Sequence, residues 1–428
     1  MRPTRIRDNK MNKNIRLFMT SQKSVFFSIV VLMSLTFMFI GCDKIEFPDV
    51  EDEILDDYEE GGGKMFGGIF NEELMKIAFL KSWMGELDDE TLLSDISIPG
   101  THDSGTQLIP SNMGNMHTQN FSIRQQLDDG IRFLDIRLQN ERTPFLVKTG
   151  KLQVYHGTYN CYILFDQVLV WCKNFLDKYP SEVILMSIKN EEGDDILNNL
   201  FHYFDDTRWK NLFYDGNDFD KRIPTLGEVR GRIVVYSRTN YTRMTTNFID
   251  WYTGWDMVSD KSRILEFKNP NRWEDQSFTY YIADEYEQYD TRKKWPNVQE
   301  HLLRAANGRK EDFYLTFISI SHHGQTFTPY HYAWGTSDNT VNPIMNSSLR
   351  DFMSLYNTCF VFNTIGEAKE IPNFIDLFRL IGSATSVQEG VGKPIRWGVI
   401  MLDYYNNHGN PGENELVENI IRSNKLTW

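Results

Sequence analysis

The sequence predicts an α/β protein folded as an irregular TIM (β/α)8-like barrel. Short apolar, β-rich runs recur along the chain, each followed by polar residues and then a helical pattern. No 20–50-residue period repeats, which excludes a solenoid. Polar or charged residues stand just past nearly every apolar run, where a barrel gathers its chemistry. The 428 residues, 41% hydrophobic, suffice for one large core. A charged fraction of 24% with few Gly and Pro excludes a disordered or fibrous chain.

The first element is an address. Residues 1–23 carry seven Lys/Arg against Asp8, and Ser24–Cys42 is long, uncharged and strongly apolar. This is the n-region and h-region order of an export signal, over residues 1–41. Gly41-Cys42 resembles a bacterial lipoprotein box, in which Cys42 is lipidated and becomes the first mature residue. An uncleaved transmembrane anchor is the alternative, and both place the protein at a membrane outside the cytoplasm. The expected location is therefore exported and lipid-anchored to the bacterial cell envelope. Residues 42–70 read as a flexible acidic tether ending in glycines, with a reach of about 25–30 Å. Residues 71–428 form the barrel. The net charge of −14 includes no long basic stripe, so no nucleic-acid partner is expected.

Within the barrel, strands are expected at Ile96–Ile98, Ile131–Ile136, Gln153–Tyr155, Val183–Ile188, Ile233–Tyr236, Thr279–Ile282, Tyr314–Ser319 and Trp397–Leu402. Helices are expected at Ile163–Lys178, Lys294–Ala306 and Asn414–Ser423. Asp129-Gly130 and Arg230-Gly231 are turn signals before the second and fifth strands, and Pro180 ends the helix before the fourth. Serial βα units without a repeat argue for a parallel barrel, distorted because several units lack a full helix. Residues 191–225, 240–278 and 360–395 read as insertions that lengthen loops. Cys161, Cys172 and Cys359 fit neither a disulfide framework nor a zinc pattern and read as buried thiols.

The residues at the strand ends are His102 and Asp103, Asp135 and Arg137, His156, Lys189, Arg238, Asp284 and Asp403. Each alone is an ordinary loop residue meeting water; their serial order is the signal. Two imidazoles with carboxylate partners suit general acid–base work, one taking a proton and the other giving one. Guanidiniums and an ammonium suit a phosphate. Together they point to attack on a phosphodiester. His117, His202, His301 and His408 read as ordinary imidazoles. His322-His323 reads as a polar loop, since adjacent strand residues point to opposite faces.

The run Ile96-Ser-Ile-Pro-Gly-Thr-His-Asp-Ser-Gly-Thr106, preceded by Ser82-Trp83-Met84, resembles the signature of bacterial phosphatidylinositol-specific phospholipase C. The resemblance continues through Ile131-Arg-Phe-Leu-Asp-Ile-Arg137, His156-Gly157, Pro180–Lys189, Leu226–Val235 with Arg238, and Gly398–Tyr404. It implies an irregular TIM barrel and a phosphatidylinositol diacylglycerol-lyase, acting on phosphatidylinositol or its glycosylated anchors. By position, His102 resembles the general base oriented by Asp403, and His156 the general acid partnered by Asp103. Arg137 resembles the phosphate clamp, with Asp135 fixing Arg137 or His156. Lys189, Arg238 and Asp284 resemble the inositol-hydroxyl positions, and Tyr286 the ring that stacks on the sugar. The products implied are inositol 1,2-cyclic phosphate and diacylglycerol.

Calcium-using relatives place carboxylates where Arg137 stands, so the resemblance implies no metal and no cofactor. The expected partners are a phosphatidylinositol-type lipid and a membrane surface, met by a monomer. Residues 106–121 hold no Trp for a membrane tip; Phe327, Tyr330, Tyr332 and Trp334 are either that rim or core. The rival readings are a metal-dependent glycerophosphodiesterase and a lipid-anchored binding protein on a dead barrel. Arg137 speaks against the first, and the complete set of His102, Asp103, Arg137, His156 and Asp403 against the second.

Overall fold

Ile184-Leu-Met-Ser-Ile and Ile233-Val-Val-Tyr are apolar without alternation, the pattern of strands covered on both faces. In the computed structural model of the chain they are neighbours in the wall of a barrel. The structure describes residues 69–424 apart from 144, 146, 192–194, 216–221, 240–248, 251–254, 256–263, 269–276, 321–326, 359–394 and 407–414. The expected export signal, Cys42, almost all of the tether, Cys359, His322-His323, His408 and most of the third insertion therefore lie outside the described residues. A helix, Ile69–Ser82, begins two residues inside the expected tether. Among the described residues, no helix is long and apolar enough to cross a membrane.

The strands are β1 (Ile98–Thr101), β2 (Phe133–Arg142), β3 (Lys148–His156), β4 (Tyr159–Leu164), β5 (Ile184–Asn190) and β6 (Ile233–Arg238). They continue with β7 (Ile249–Asp250), β8 (Leu265–Phe267), β9 (Tyr280–Ala283), β10 (Phe313–Phe317) and β11 (Val399–Leu402). They form one sheet in the order β7-β6-β5-β2-β1-β11-β10-β9-β8, parallel from β7 to β9, with β8 antiparallel on β9. In a flat sheet β6 and β10 would be five spacings, about 24 Å, apart. The rings of Tyr236 on β6 and Phe313 on β10 are instead 5.3 Å apart, with Phe133 of β2 5.9 Å from Tyr236. The sheet is thus curled on itself around an aromatic interior, and the irregular α/β barrel expected from sequence is the fold.

Two expectations need correction. Gln153–Tyr155 is not a wall strand: it belongs to β3, which pairs antiparallel with β2 and β4 as a hairpin arm. Ile249–Asp250, inside a stretch read as loop insertion, is a parallel strand beside β6. The 191–225 stretch likewise holds a helix, Leu197–Asp205.

The helix Phe165–Lys178 buries Phe165, Val168, Leu169, Cys172, Phe175 and Leu176, the apolar stripe of a 3.6-residue period. Cys161 on β4 and Cys172 within this helix are both free, buried thiols. At the opposite end of the wall from the strand-end polar residues, the Trp83 indole donates to the Gly130 carbonyl at 3.1 Å. Beside it Arg132 is fully buried: its Nε donates to Glu182 Oε2 at 2.9 Å, and its other nitrogens donate to the carbonyls of Leu80, Lys81, Leu127 and Ile131. The guanidinium lies 4.5 Å from the Phe175 ring. Every donor of this cation has a partner, so it tolerates burial only while Glu182 is charged. Glu182→Ala strands that charge and is expected to cost about 3–5 kcal/mol of stability. Chemical denaturation at neutral pH would read this as a lower midpoint; an unchanged midpoint would mean that solvent reaches Arg132.

Candidate active site

The site begins where β1 ends. At Gly100 an added Cβ would lie 2.8 Å from Phe133 Cβ and 2.7 Å from Met401 Sδ, so only glycine lets β2 and β11 approach β1 this closely. The chain then turns: Asp103 has φ +46° and Tyr404, beyond β11, φ +45°, a left-handed conformation that costs non-glycine residues and recurs at functional sites. These turns bring His102 and Asp103 from one strand end against Asp403 from its neighbour.

His102 Nδ1 lies 2.9 Å from Asp403 Oδ1, and His102 Nε2 lies 3.0 Å from Asp103 Oδ2. The same Asp103 oxygen is 3.3 Å from His156 Nε2. Asp103 therefore bridges the two imidazoles rather than serving His156 alone. The rings stand edge-on, with centroids 6.4 Å apart. His156 is the last residue of β3, at the tip of the hairpin, and its Nδ1 donates to the Met116 carbonyl at 2.9 Å. Burial alone would lower the pKa of His102, but the charges of Asp103 and Asp403 outweigh it, and the value is raised above 6.5.

Arg137 is the hub. Its Nε is 2.8 Å from Asp103 Oδ1, and its Nη2 donates to Asp135 Oδ2 at 3.1 Å and to His102 Nε2 at 2.9 Å. Of the two residues that Asp135 was expected to fix, it meets Arg137. Burial opposes ionisation of Asp135, yet Arg137, Arg238 and His102 hold its pKa well below the usual carboxylate range. His102, Asp103 and Asp135 offer ligand atoms within 4.8 Å of one another, a donor set of the kind that holds a cation. The Arg137 guanidinium contacts all three.

Lys189 and Arg238 are register partners at the ends of β5 and β6. Arg238 lies 3.6 Å over the Trp255 ring and 3.7 Å from Asp135 Oδ1. The Trp255 indole donates to Asp284 Oδ2 at 3.0 Å, and its ring meets Phe317, which meets His102. Tyr286, two residues beyond Asp284, is 38% exposed.

Several contributors escaped the sequence reading. Trp255 lies in a stretch taken for an insertion. Glu191 reads as a loop acid two residues past Lys189, but it is buried, with Lys189 Nζ 2.9 Å from Oε2 and the Gly157 N–H donating to Oε1 at 2.8 Å. Lys294, fully buried on the helix Thr291–Asn307, donates to the carbonyls of Glu285 and Ser319, and burial lowers its pKa to about 8. Phe327 precedes the helix Pro329–Trp334, which holds the other three aromatics: Tyr332 is buried, and the Trp334 indole donates inward to the Tyr404 carbonyl at 2.7 Å. The apolar side chains exposed after β1 are instead Leu108 and Met113, at 56% and 45%.

Residues 100–239 match the family described as phosphatidylinositol-specific phospholipase C, X domain. That span holds His102, Asp103, Asp135, Arg137, His156, Lys189 and Arg238. The match over this span and the bacterial relatives together support a likeness to the bacterial phosphatidylinositol-specific phospholipase C family. It is 28% identical over 264 residues to a 1-phosphatidylinositol phosphodiesterase of Staphylococcus aureus, covering 59% of this chain and 80% of that one. It is 28% identical over 295 residues to a 1-phosphatidylinositol phosphodiesterase of Listeria monocytogenes, covering 67% and 82%. Among solved structures, a double mutant of the S. aureus phosphatidylinositol-specific phospholipase C superposes with a TM-score of 0.58 at 25% identity, over 82% of this chain and 99% of that one.

Glu191 gives a readout of the site's electrostatics. Burial would raise its pKa, but Arg137, Lys189 and the Gly157 N–H lower it from 4.5 to about 2. Its stabilising contribution is therefore present above pH 4.5 and is lost as pH falls toward about 2. Acid-unfolding curves of Glu191→Gln should lack this component and be flatter across that window. A curve parallel to the unmodified protein's would show that Glu191 is no better stabilised folded than unfolded.

Proposed function

We propose that the protein is a phosphatidylinositol diacylglycerol-lyase that works by general acid–base chemistry without a metal. The observation that carries this reading is one carboxylate, Asp103, spanning two imidazoles whose other nitrogens are each committed, to Asp403 and to the Met116 carbonyl. Each ring thus turns Nε2 toward Asp103 for proton exchange, that of His102 also facing Arg137 Nη2. The names of the bacterial relatives, 1-phosphatidylinositol phosphodiesterase, supply the substrate.

In this mechanism His102 Nε2 takes the proton of the inositol 2-hydroxyl, and Asp403 steadies the imidazolium that forms. The freed oxygen attacks the neighbouring phosphorus, an intramolecular step favoured by proximity. Arg137 offsets the negative charge developing on the phosphoryl oxygens. As the P–O bond to diacylglycerol breaks, His156 acts as an imidazolium: it keeps its Nδ1–H on the Met116 carbonyl and gives its Nε2 proton to the leaving oxygen, yielding inositol 1,2-cyclic phosphate. Lys189, Arg238 and Asp284 bind ring hydroxyls, with Tyr286 stacked on the sugar face. Leu108 and Met113 meet the lipid surface. What supports metal independence is Arg137, whose fixed charge repels a cation while its N–H groups engage the three candidate ligands.

Phosphorus NMR of the protein with phosphatidylinositol micelles and excess EDTA tests the reading. A cyclic inositol phosphate signal is expected, with a loss of about 10²–10⁴-fold in His102→Ala. Arg137→Asp should be similarly impaired and regain turnover only with added calcium. Turnover of the unmodified protein that requires calcium would overturn metal independence, and none under any condition would overturn the lyase.

The N-terminal reading extends this to the cell: Cys42 carries the lipid, and the tether holds the barrel at the envelope surface. Mass spectrometry of the mature protein should find a diacylglyceryl-modified Cys42 as the first residue; an intact 1–41 segment would exclude it.

A further inference from the structure

Of the segment Met116–Gln119 only the Met116 carbonyl enters the chemistry above, yet the segment touches both the His156 imidazole and the backbone of His102. Its first residue accepts from His156 Nδ1 at 2.9 Å. A carbonyl can only accept, so that contact keeps a proton on His156 Nδ1 and leaves Nε2 facing the site. Its last residue, Gln119, is fully buried and donates through Nε2 to the His102 carbonyl at 2.9 Å and the Leu402 carbonyl at 2.8 Å. The first belongs to the imidazole residue itself, the second to the residue before Asp403. Between them, Thr118 Oγ1 lies 3.2 Å from the same His102 carbonyl, and the Thr118 carbonyl accepts from the Tyr404 N–H at 2.8 Å.

One amide thus joins the ends of β1 and β11 immediately behind the His102–Asp403 pair. It does so at a cost, because both partners are acceptors. The NH2 group must face them, and Gln119 Oε1 is left buried without a partner among the described residues. A methionine of the same length would fill the space with no orphaned acceptor. What a methionine lacks is the pair of donors.

We propose that Gln119 is a positioning residue that sets the 2.9 Å contact between His102 Nδ1 and Asp403 Oδ1 from behind, touching neither substrate nor reacting atoms. The inference rests on the assignment of His102 as general base. The groups facing the His102 ring are Asp103, Asp403, Arg137 and His156. Loosening Asp403 alone removes stabilisation of the imidazolium, so the base should then titrate lower.

The test uses the full chain as Q119M, D403N and the double variant, measuring cyclic inositol phosphate formation against pH. Q119M should lower kcat about tenfold with KM little changed, an effect of misalignment. It should also move the acid limb of kcat/KM to lower pH. D403N should lose more, and adding Q119M to it should cost nothing further, because the contact that Gln119 sets is already gone. An unmoved pH profile in Q119M, or a further tenfold loss on top of D403N, would reduce Gln119 to a folding role and overturn the proposal. Unmodified activity in D403N would overturn the base assignment, and this inference with it. If Q119M does not fold, T118V removes a weaker contact to the same carbonyl and gives the same comparison.

Discussion

The charge of Arg137 is the constraint on which the site depends. Asp103, Asp135 and Glu191 are three buried carboxylates gathered at one end of the barrel, and the Arg137 guanidinium lies 2.8 Å, 3.1 Å and 3.7 Å from them. The guanidinium is suited to this by shape: it is flat, never deprotonates, and presents donors in several directions at once. In turn the ionised carboxylates hold His102 above its ordinary pKa and keep Arg137 itself protonated despite burial. Neither half of the network is stable in the charged form alone.

Much of this was legible in the sequence because β5, β6 and β11 are largely apolar runs that meet a charged residue at their ends, Lys189, Arg238 and Asp403. A barrel wall demands the run, and its open end permits the charge. Gly100 and the turn at Asp103 belong to the same local logic. The rest was hidden for identifiable reasons. The first four residues of β3 are exposed and carry no apolar alternation, so only its buried end looked like a strand. β7 is two residues long, too short to leave a pattern. Trp255 and Glu191 reach the site through chain paths that no spacing rule encodes. That Asp103 is shared between the imidazoles depends on a backbone angle, not on residue order.

The strap formed by Met116–Gln119 shows how a loop can be part of a wall without being a strand. It closes no ladder, yet it hydrogen-bonds the ends of β1 and β11 and the tip of the hairpin. Its Gln119 amide donates to backbone carbonyls at the barrel mouth, and its Met116 carbonyl accepts from the His156 ring. The positions of the side chains there are thereby set by main-chain accounting as much as by packing.

The hairpin β3–β4 carries a consequence of its own. His102 is rooted in the barrel wall, whereas His156 rides on an arm whose strand pairing with the wall, among the described residues, runs through β2. The two imidazoles thus stand on different kinds of support, one parallel and one antiparallel. An insertion, deletion or twist in the arm displaces one proton-handling group while the wall, its aromatic interior and the Asp403 contact stay in place. For a lineage of such barrels the arm is an adjustable part. Substrates with bulkier or differently placed leaving groups can be met by redrawing a few antiparallel pairs near its tip.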